Sequence, residues 1–159
     1  MNILFLCVGN SARSQIAEGL AKEMLGAKHN IKSAGSTPTG YVHEGALKTM
    51  NEIGIDISKQ NSKSIDDIED DFMKNLDYVI TLCAEEVCPV LNTNTKIINW
   101  ANEDPANKIY DEIHQEISFR RTRENIYKLL KNHKLLDTMG TEGRKLAENK
   151  FDVIKVVKK

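Results

Sequence analysis

Cysteine is scarce in this chain: three in 159 residues, a number that cannot all be paired within one chain and that excludes a framework of structural disulfides. In a reducing compartment so few thiols point to chemistry rather than to staples. Zinc is discounted on the same count, because a structural site needs four ligands and no close Cys or His pair completes a set. An excess of charge of one sign is missing too. Twenty-two basic and 23 acidic residues leave a formal charge of -1, so there is no whole-protein field to draw nucleic acid or a membrane surface. No apolar run approaches the ~20 residues of a membrane span. The chain opens on an apolar strand pattern rather than on a charged segment followed by a signal core. Internal repeats and low-complexity linkers are lacking. These absences lead us to expect one cytoplasmic, monomeric domain with a respectable core.

What is present is concentrated near the start, in Cys7-Val8-Gly9-Asn10-Ser11-Ala12-Arg13-Ser14. Before it runs Asn2-Ile3-Leu4-Phe5-Leu6, of strand length; after it Ile16, Ala17, Leu20, Ala21, Met24 and Leu25 recur at helical spacing. The segment therefore joins a strand to a helix, where unpaired backbone N–H groups and the helix dipole together favour a tetrahedral oxyanion. Gly9 and Asn10 are expected to supply the positive φ that a nest of amides needs. Arg13 adds a planar fork matched to two oxygens of the anion. A cysteine beside a helix N-terminus and a cation can fall from about 8.5 to roughly 3.5–7.5 in pKa, which makes Cys7 a candidate nucleophile. Standing alone, Cys7 would read as an inert core thiol and Arg13 as a surface residue; Gly9, Asn10 and Ser11 at these offsets decide for an oxyanion site.

Further along, strand and helix alternate. Asn30-Ile31-Lys32-Ser33-Ala34-Gly35 reads as a second strand, followed by a Ser/Thr/Pro/Gly loop through Gly40 and a helix carrying Ala46, Leu47, Met50 and Ile53. Residues 62–71 are polar and acidic, a short helix or loop. Residues 76–82 and 96–100 read as strands three and four, and residues 111–133 as a long helix with Ile113, Ile117, Ile126 and Leu130 on its apolar face. The fold class is α/β: a four-stranded parallel sheet flanked by helices on both faces. Residues 1–134 make up this domain, and residues 135–159 a C-terminal extension. Ligands of such sheets bind beyond the C-terminal strand ends, which is where Cys7, Cys83 and the loop from Trp100 to Pro105 would converge. His29, His43, His114 and His133 fall on expected surface elements and receive no catalytic role.

Thr81-Leu82-Cys83-Ala84-Glu85-Glu86-Val87-Cys88-Pro89 brings two more thiols to that edge. Five residues of regular helix rise about 7.5 Å, beyond the roughly 7 Å Cα limit for a disulfide. A Cys83–Cys88 bond would therefore need the segment to loop. Cys7 and Cys83 would approach more simply if their strands are neighbours, about 4.8 Å apart. This suggests a relay, with a disulfide formed first at the nucleophile and then passed outward; the bland alternative is a pair of small buried hydrophobes. Asp104, fixed by Pro105, is the candidate acid for protonating a departing oxygen, worth typically 10²- to 10⁴-fold.

Taken together, the segment from Cys7 to Ser14, Ser33-Ala34-Gly35, Val79-Ile80-Thr81-Leu82-Cys83, Cys88-Pro89 and Trp100 to Pro105 resemble the thioredoxin-coupled arsenate reductases built on the low-molecular-weight tyrosine phosphatase fold. The resemblance covers roughly residues 2–133. It implies that Cys7 attacks arsenate held by the amides of Val8, Gly9, Asn10, Ser11, Ala12, Arg13 and Ser14 and by the Arg13 side chain. Asp104 would protonate the departing oxygen. Cys83 would then attack Cys7, releasing arsenite, and Cys88 would resolve the bond into Cys83–Cys88 for reduction by thioredoxin. The short interval between Cys83 and Cys88 leaves glutaredoxin as the other reductant. Ser14 is expected to hydrogen-bond Cys7. No cofactor is implied. Some members bind potassium near the loop; Asn10, Glu18 and Ser33 match that site, but Asn61 and Lys63 do not, so potassium dependence should be weak or nil.

Cys7, Arg13 and Asp104 would equally serve a phosphatase acting on phosphomonoesters. Against that reading, Asp104-Pro105 leads into Ala106-Asn107-Lys108 without adjacent tyrosines, and hydrolysis needs neither Cys83 nor Cys88. A non-enzymatic oxyanion or thiol-redox sensor is the third reading, distinguished by reacting once and stopping.

Overall fold

Ile3, Leu4, Phe5 and Leu6 are all fully buried, and a strand apolar on both faces must lie inside a sheet covered on both sides. The computed structural model, which describes residues 1–84, 91 and 93–132, places this strand accordingly. Strands β1 (Asn2–Cys7), β2 (Asn30–Gly35), β3 (Tyr78–Cys83) and β4 (Lys96–Asn102) form one sheet in the order β2-β1-β3-β4. All three pairings are parallel. The helices are α1 (Arg13–Leu25), α2 (Glu44–Asn51), the five-residue α3 (Asp70–Lys74) and α4 (Glu112–Asn132). The expected architecture of the described part is borne out. Cys88, His133 and the extension from residue 135 lie outside the described residues.

Alternation along β1 divides the core. Ile3 and Phe5 face a large cluster with Ile16, Leu20, Met50, Phe119 and Ile126, while Leu4 and Leu6 face a smaller one with Ile68, Phe72 and Val79. Helices thus cover both faces. Residues 62–71 hold a short 3₁₀ turn, Ile65–Asp67, closed by a reciprocal cap between Ser64 and Asp67. The second helix ends at Asn51, so Ile53 packs from the turn beyond it, still buried.

Two expectations need correction here. Strand three starts at Tyr78 rather than at residue 76, because Asp77 turns aside to pair with Asn2 through its backbone N–H and its carboxylate. On α4 the buried seam is Phe119, Thr122, Arg123, Ile126 and Leu130; Ile113 and Ile117 are 71% and 45% exposed. The seam admits a fully buried arginine because Arg123 Nη1 donates to the Thr49 carbonyl at 2.7 Å, to Thr49 Oγ1 at 3.1 Å and to Glu52 at 2.9 Å.

This assignment predicts that Ile126→Ala costs about 2–5 kcal/mol of stability in urea denaturation. Ile113→Ala should stay within about 0.5 kcal/mol of native. Equal losses would mean the seam is misplaced.

Candidate oxyanion site

Between β1 and α1 the chain makes a loop whose carbonyls are all engaged from outside. Val8 O accepts from Thr37 N and Gly9 O from Thr39 N, both at 3.0 Å, and Ser11 O accepts from His43 N at 2.8 Å. Asn10 O accepts from Gln15 Nε2 at 3.0 Å. In a trans peptide the N–H of the next residue points away from the carbonyl, so the amides of Gly9, Asn10, Ser11 and Ala12 are turned inward. Asn10 N shows the direction: it donates to Cys7 Sγ at 3.2 Å. The left-handed turn falls on Asn10, with φ 45°, a conformation that asparagine tolerates. Gly9, expected to share it, does not adopt a positive φ; its carbonyl is held by Thr39 and by Ser62 Oγ at 3.3 Å.

Behind the loop runs a buried polar chain. Asn10 Nδ2 donates to Ser14 Oγ at 2.8 Å and to Ser33 Oγ at 3.0 Å. Because Ser14 Oγ already accepts from Asn10, its own proton is available to Cys7 Sγ, 2.9 Å away, as expected. Ser33 Oγ donates to Glu18 Oε2, and Glu18 Oε1 pairs with Lys22. The Lys63 ammonium lies 3.9 Å from Glu18 Oε2. Burial pushes its pKa below the usual lysine value, with Glu18 opposing the shift. Lys63 N and Gln15 Nε2 both donate to Asn10 Oδ1, at 2.9 and 3.1 Å. Every polar group of the Asn10 side chain is thereby fixed.

Arg13 is buried, and its Nη1 donates to the Asn102 carbonyl at 3.0 Å. That carbonyl lies just past an irregularity in the β3–β4 register between Thr81 and Cys83, where β4 carries one extra residue. Strand four consequently runs to Asn102, two residues further than expected. Asp104 follows; its Oδ1 accepts from Ala106 N at 3.1 Å. Cys7, Arg13 and Asp104 line one open cleft of about 560 Å³ together with Val8, Gly9, Ser11 and Ala12. Asn10 and Ser14 support it from behind.

Cys7 is a free thiol, whereas Cys83 is disulfide-bonded. Both are buried, at the ends of neighbouring strands; the β1–β3 register pairs Leu6 with Thr81, one residue before Cys7 and two before Cys83.

Thr37, Thr39, Tyr41, His43, Lys108 and Gln115 also line the cleft, and the sequence pattern assigns none of them a place there. The Ser/Thr-rich composition of the loop after β2 was the available signal. What it lacked was strand order, which puts β2 beside β1. His43, read as a surface residue without a role, instead forms part of the wall.

Over residues 2–146 the chain matches the family described as low molecular weight phosphotyrosine protein phosphatase. It is 43% identical over 131 residues to an arsenate reductase of Halalkalibacterium halodurans, covering 81% of this chain and 91% of that one. Among solved structures, the arsenate reductase of Archaeoglobus fulgidus superposes with a TM-score of 0.65 at 30% identity, covering 82% of this chain and 99% of the other. A thioredoxin-dependent arsenate reductase of Corynebacterium glutamicum superposes with a TM-score of 0.59 at 30% identity, over 81% of this chain and 59% of that chain.

Gly35 gives a test of the loop geometry. A Cβ there would stand 2.4 Å from Val8 O and 3.0 Å from Asn10 N, so Gly35→Ala must displace the loop itself. We expect a stability loss of about 1–3 kcal/mol and abolished binding of inorganic phosphate by calorimetry. Undiminished phosphate binding would show that the loop is not the anion site.

Proposed function

The chain belongs to the low molecular weight phosphotyrosine protein phosphatase family, and from that premise we propose that it reduces arsenate to arsenite with Cys7 as nucleophile, a Cys83–Cys88 disulfide as the product of its thiols, and thioredoxin as reductant. The observation that carries this reading is that Cys7, in a loop built of inward amides, and Cys83 are both buried at the C-terminal ends of adjacent parallel strands, which sets a second sulfur beside the nucleophile. Phosphate-ester hydrolysis has no use for the second thiol.

The Cys7 thiolate accepts hydrogen bonds from Asn10 N and Ser14 Oγ, which hold Sγ at the floor of the cleft. Sulfur attacks arsenic while the loop amides and Arg13 bind the remaining oxygens. These donors are already in place and need little reorganisation as charge builds. Asp104, anchored through one oxygen by Ala106 N, gives its proton to the departing hydroxyl of the arsenate, which leaves as water. The Cys83 thiolate then attacks Cys7 Sγ: a sulfur–sulfur bond forms, the sulfur–arsenic bond breaks, and its electron pair stays on arsenic, reducing As(V) to As(III). Attack of the Cys88 thiolate on Cys83 passes the disulfide outward and returns Cys7 as a thiolate. Thioredoxin then supplies two electrons by thiol–disulfide exchange. No helix of the described residues is long and apolar enough to cross a membrane, and we place the reaction in the cytoplasm, carried out by a monomer.

Arsenate-dependent NADPH oxidation with thioredoxin and thioredoxin reductase tests the relay. Cys7→Ser, Cys83→Ser and Cys88→Ser should each abolish continuous turnover. Brisk hydrolysis of para-nitrophenyl phosphate by native protein and by Cys83→Ser, without arsenate turnover, would instead establish a phosphatase. A single reaction that stops despite excess reductant would indicate a sensor. Exchanging thioredoxin for glutaredoxin in the same assay identifies the reductant.

The Lys63 ammonium beside Glu18 already supplies positive charge behind Asn10 and Ser33. Replacing sodium by potassium at constant ionic strength should therefore change kcat/KM by no more than about twofold. A large potassium activation would contradict this role of Lys63.

A further inference from the structure

His43 stands where the oxyanion loop, α2 and α4 meet. Its backbone N–H donates to the Ser11 carbonyl at 2.8 Å. Its ring Nδ1 accepts from Gly45 N at 3.0 Å and so caps the N-terminus of α2. The same ring stacks on Phe119 of α4, with centroids 4.9 Å apart and planes inclined by 26°. A Cβ on Gly45 would come within 2.4 Å of the Phe119 ring, so a glycine one turn-position into α2 is what lets Phe119 lie against this helix end. The imidazole forms wall for the Cys7 cleft and for a smaller cavity of about 160 Å³ between α2 and α4.

Two consequences follow from these contacts. A backbone N–H donating to Nδ1 puts the ring proton on Nε2. The Ser11 carbonyl, held outward by His43, belongs to the peptide whose N–H, on Ala12, faces the cleft. If that peptide rotated, an acceptor would replace a donor against a bound anion, and affinity would fall.

We propose that His43 is a positioning residue for the oxyanion loop: its Nε2-protonated ring, capping α2 and stacked on Phe119, fixes the backbone amide that holds the Ser11 peptide with its N–H toward the anion. This rests on the reading of the Cys7 loop as an oxyanion site, and it holds whether the bound anion is then reduced or hydrolysed. The residue acts through Ser11 and is not itself a catalytic group.

Inorganic phosphate is the probe, titrated calorimetrically into the 159-residue chain with its thiols reduced, alongside His43→Ala, His43→Asn and His43→Phe. Alanine removes cap and stack, and should weaken phosphate about tenfold, the equivalent of losing one helix cap. Asparagine is a good capping acceptor and should restore most of the affinity, while phenylalanine, which keeps only the stack, should not. A purely structural role would lower the melting temperature of His43→Ala and leave phosphate affinity unchanged, and that result would overturn the proposal. So would failure of asparagine to improve on phenylalanine. Nitrogen-15 imidazole spectra of the native protein give a readout independent of binding and of any variant's folding: a proton on Nε2 supports the assignment, and a proton on Nδ1 overturns it. Should native protein bind no phosphate at all, the oxyanion reading fails, and the tautomer alone decides whether the His43 cap exists.

Discussion

Everything chemical in this molecule depends on the outward tethering of four consecutive carbonyls, Val8, Gly9, Asn10 and Ser11, by Thr37, Thr39, Gln15 and His43. Peptide planarity converts that tethering into amides directed inward. A cradle of this kind binds an anion without first ordering itself, because its conformational cost was met when the protein folded. The tethers come from three places: the loop after β2, the first turn of α1, and the entrance to α2. The site is therefore a property of the fold, although its donors come from a single short segment.

The buried polar chain behind the loop meets a second demand. Glu18 is nearly inaccessible, and a carboxylate there is tolerable only with compensation. Lys22 and Lys63 supply charge and Ser33 a hydrogen bond. In return the carboxylate fixes Ser33, which fixes Asn10, which leaves the Ser14 hydroxyl proton for Cys7. The Cys7 sulfur is thus linked through three side chains, Ser14, Asn10 and Ser33, to the Glu18 carboxylate and its two lysines.

Parallel topology explains how thiols far apart in sequence become partners. In the order β2-β1-β3-β4 the chain reverses its direction of winding at β1, and the crevice at such a switch point opens beyond the C-terminal ends of β1 and β3. Cys7 and Cys83 occupy those two ends. The register irregularity near Cys83 carries β4 on to Asn102, whose carbonyl receives Arg13 and whose next residues deliver Asp104.

Much of this was legible in the residues. The strands, the α1 periodicity, the loop between β1 and α1 and the placement of Asp104 at its cleft were accessible because they rest on local chemistry: apolar runs, helical spacing, a strand-to-helix junction and a carboxylate beside proline. The face of α4 is not legible from spacing because two stripes have helical spacing and the buried one passes through an arginine, whose burial is made tolerable by Thr49 of α2 and by Glu52 just past its end. The left-handed turn fell to Asn10 and not to Gly9 because contacts with Thr39 and Ser62 hold the glycine carbonyl. His43, Tyr41 and Lys108 line the cleft for a reason no local pattern contains, the convergence of the segments after β1, β2 and β4 at one edge of the sheet. Sequence by itself determined which groups make up the loop from Cys7 to Ser14, since they share one covalent segment; tertiary structure alone decided which way its amides point, because that direction is set by hydrogen bonds from distant parts of the chain.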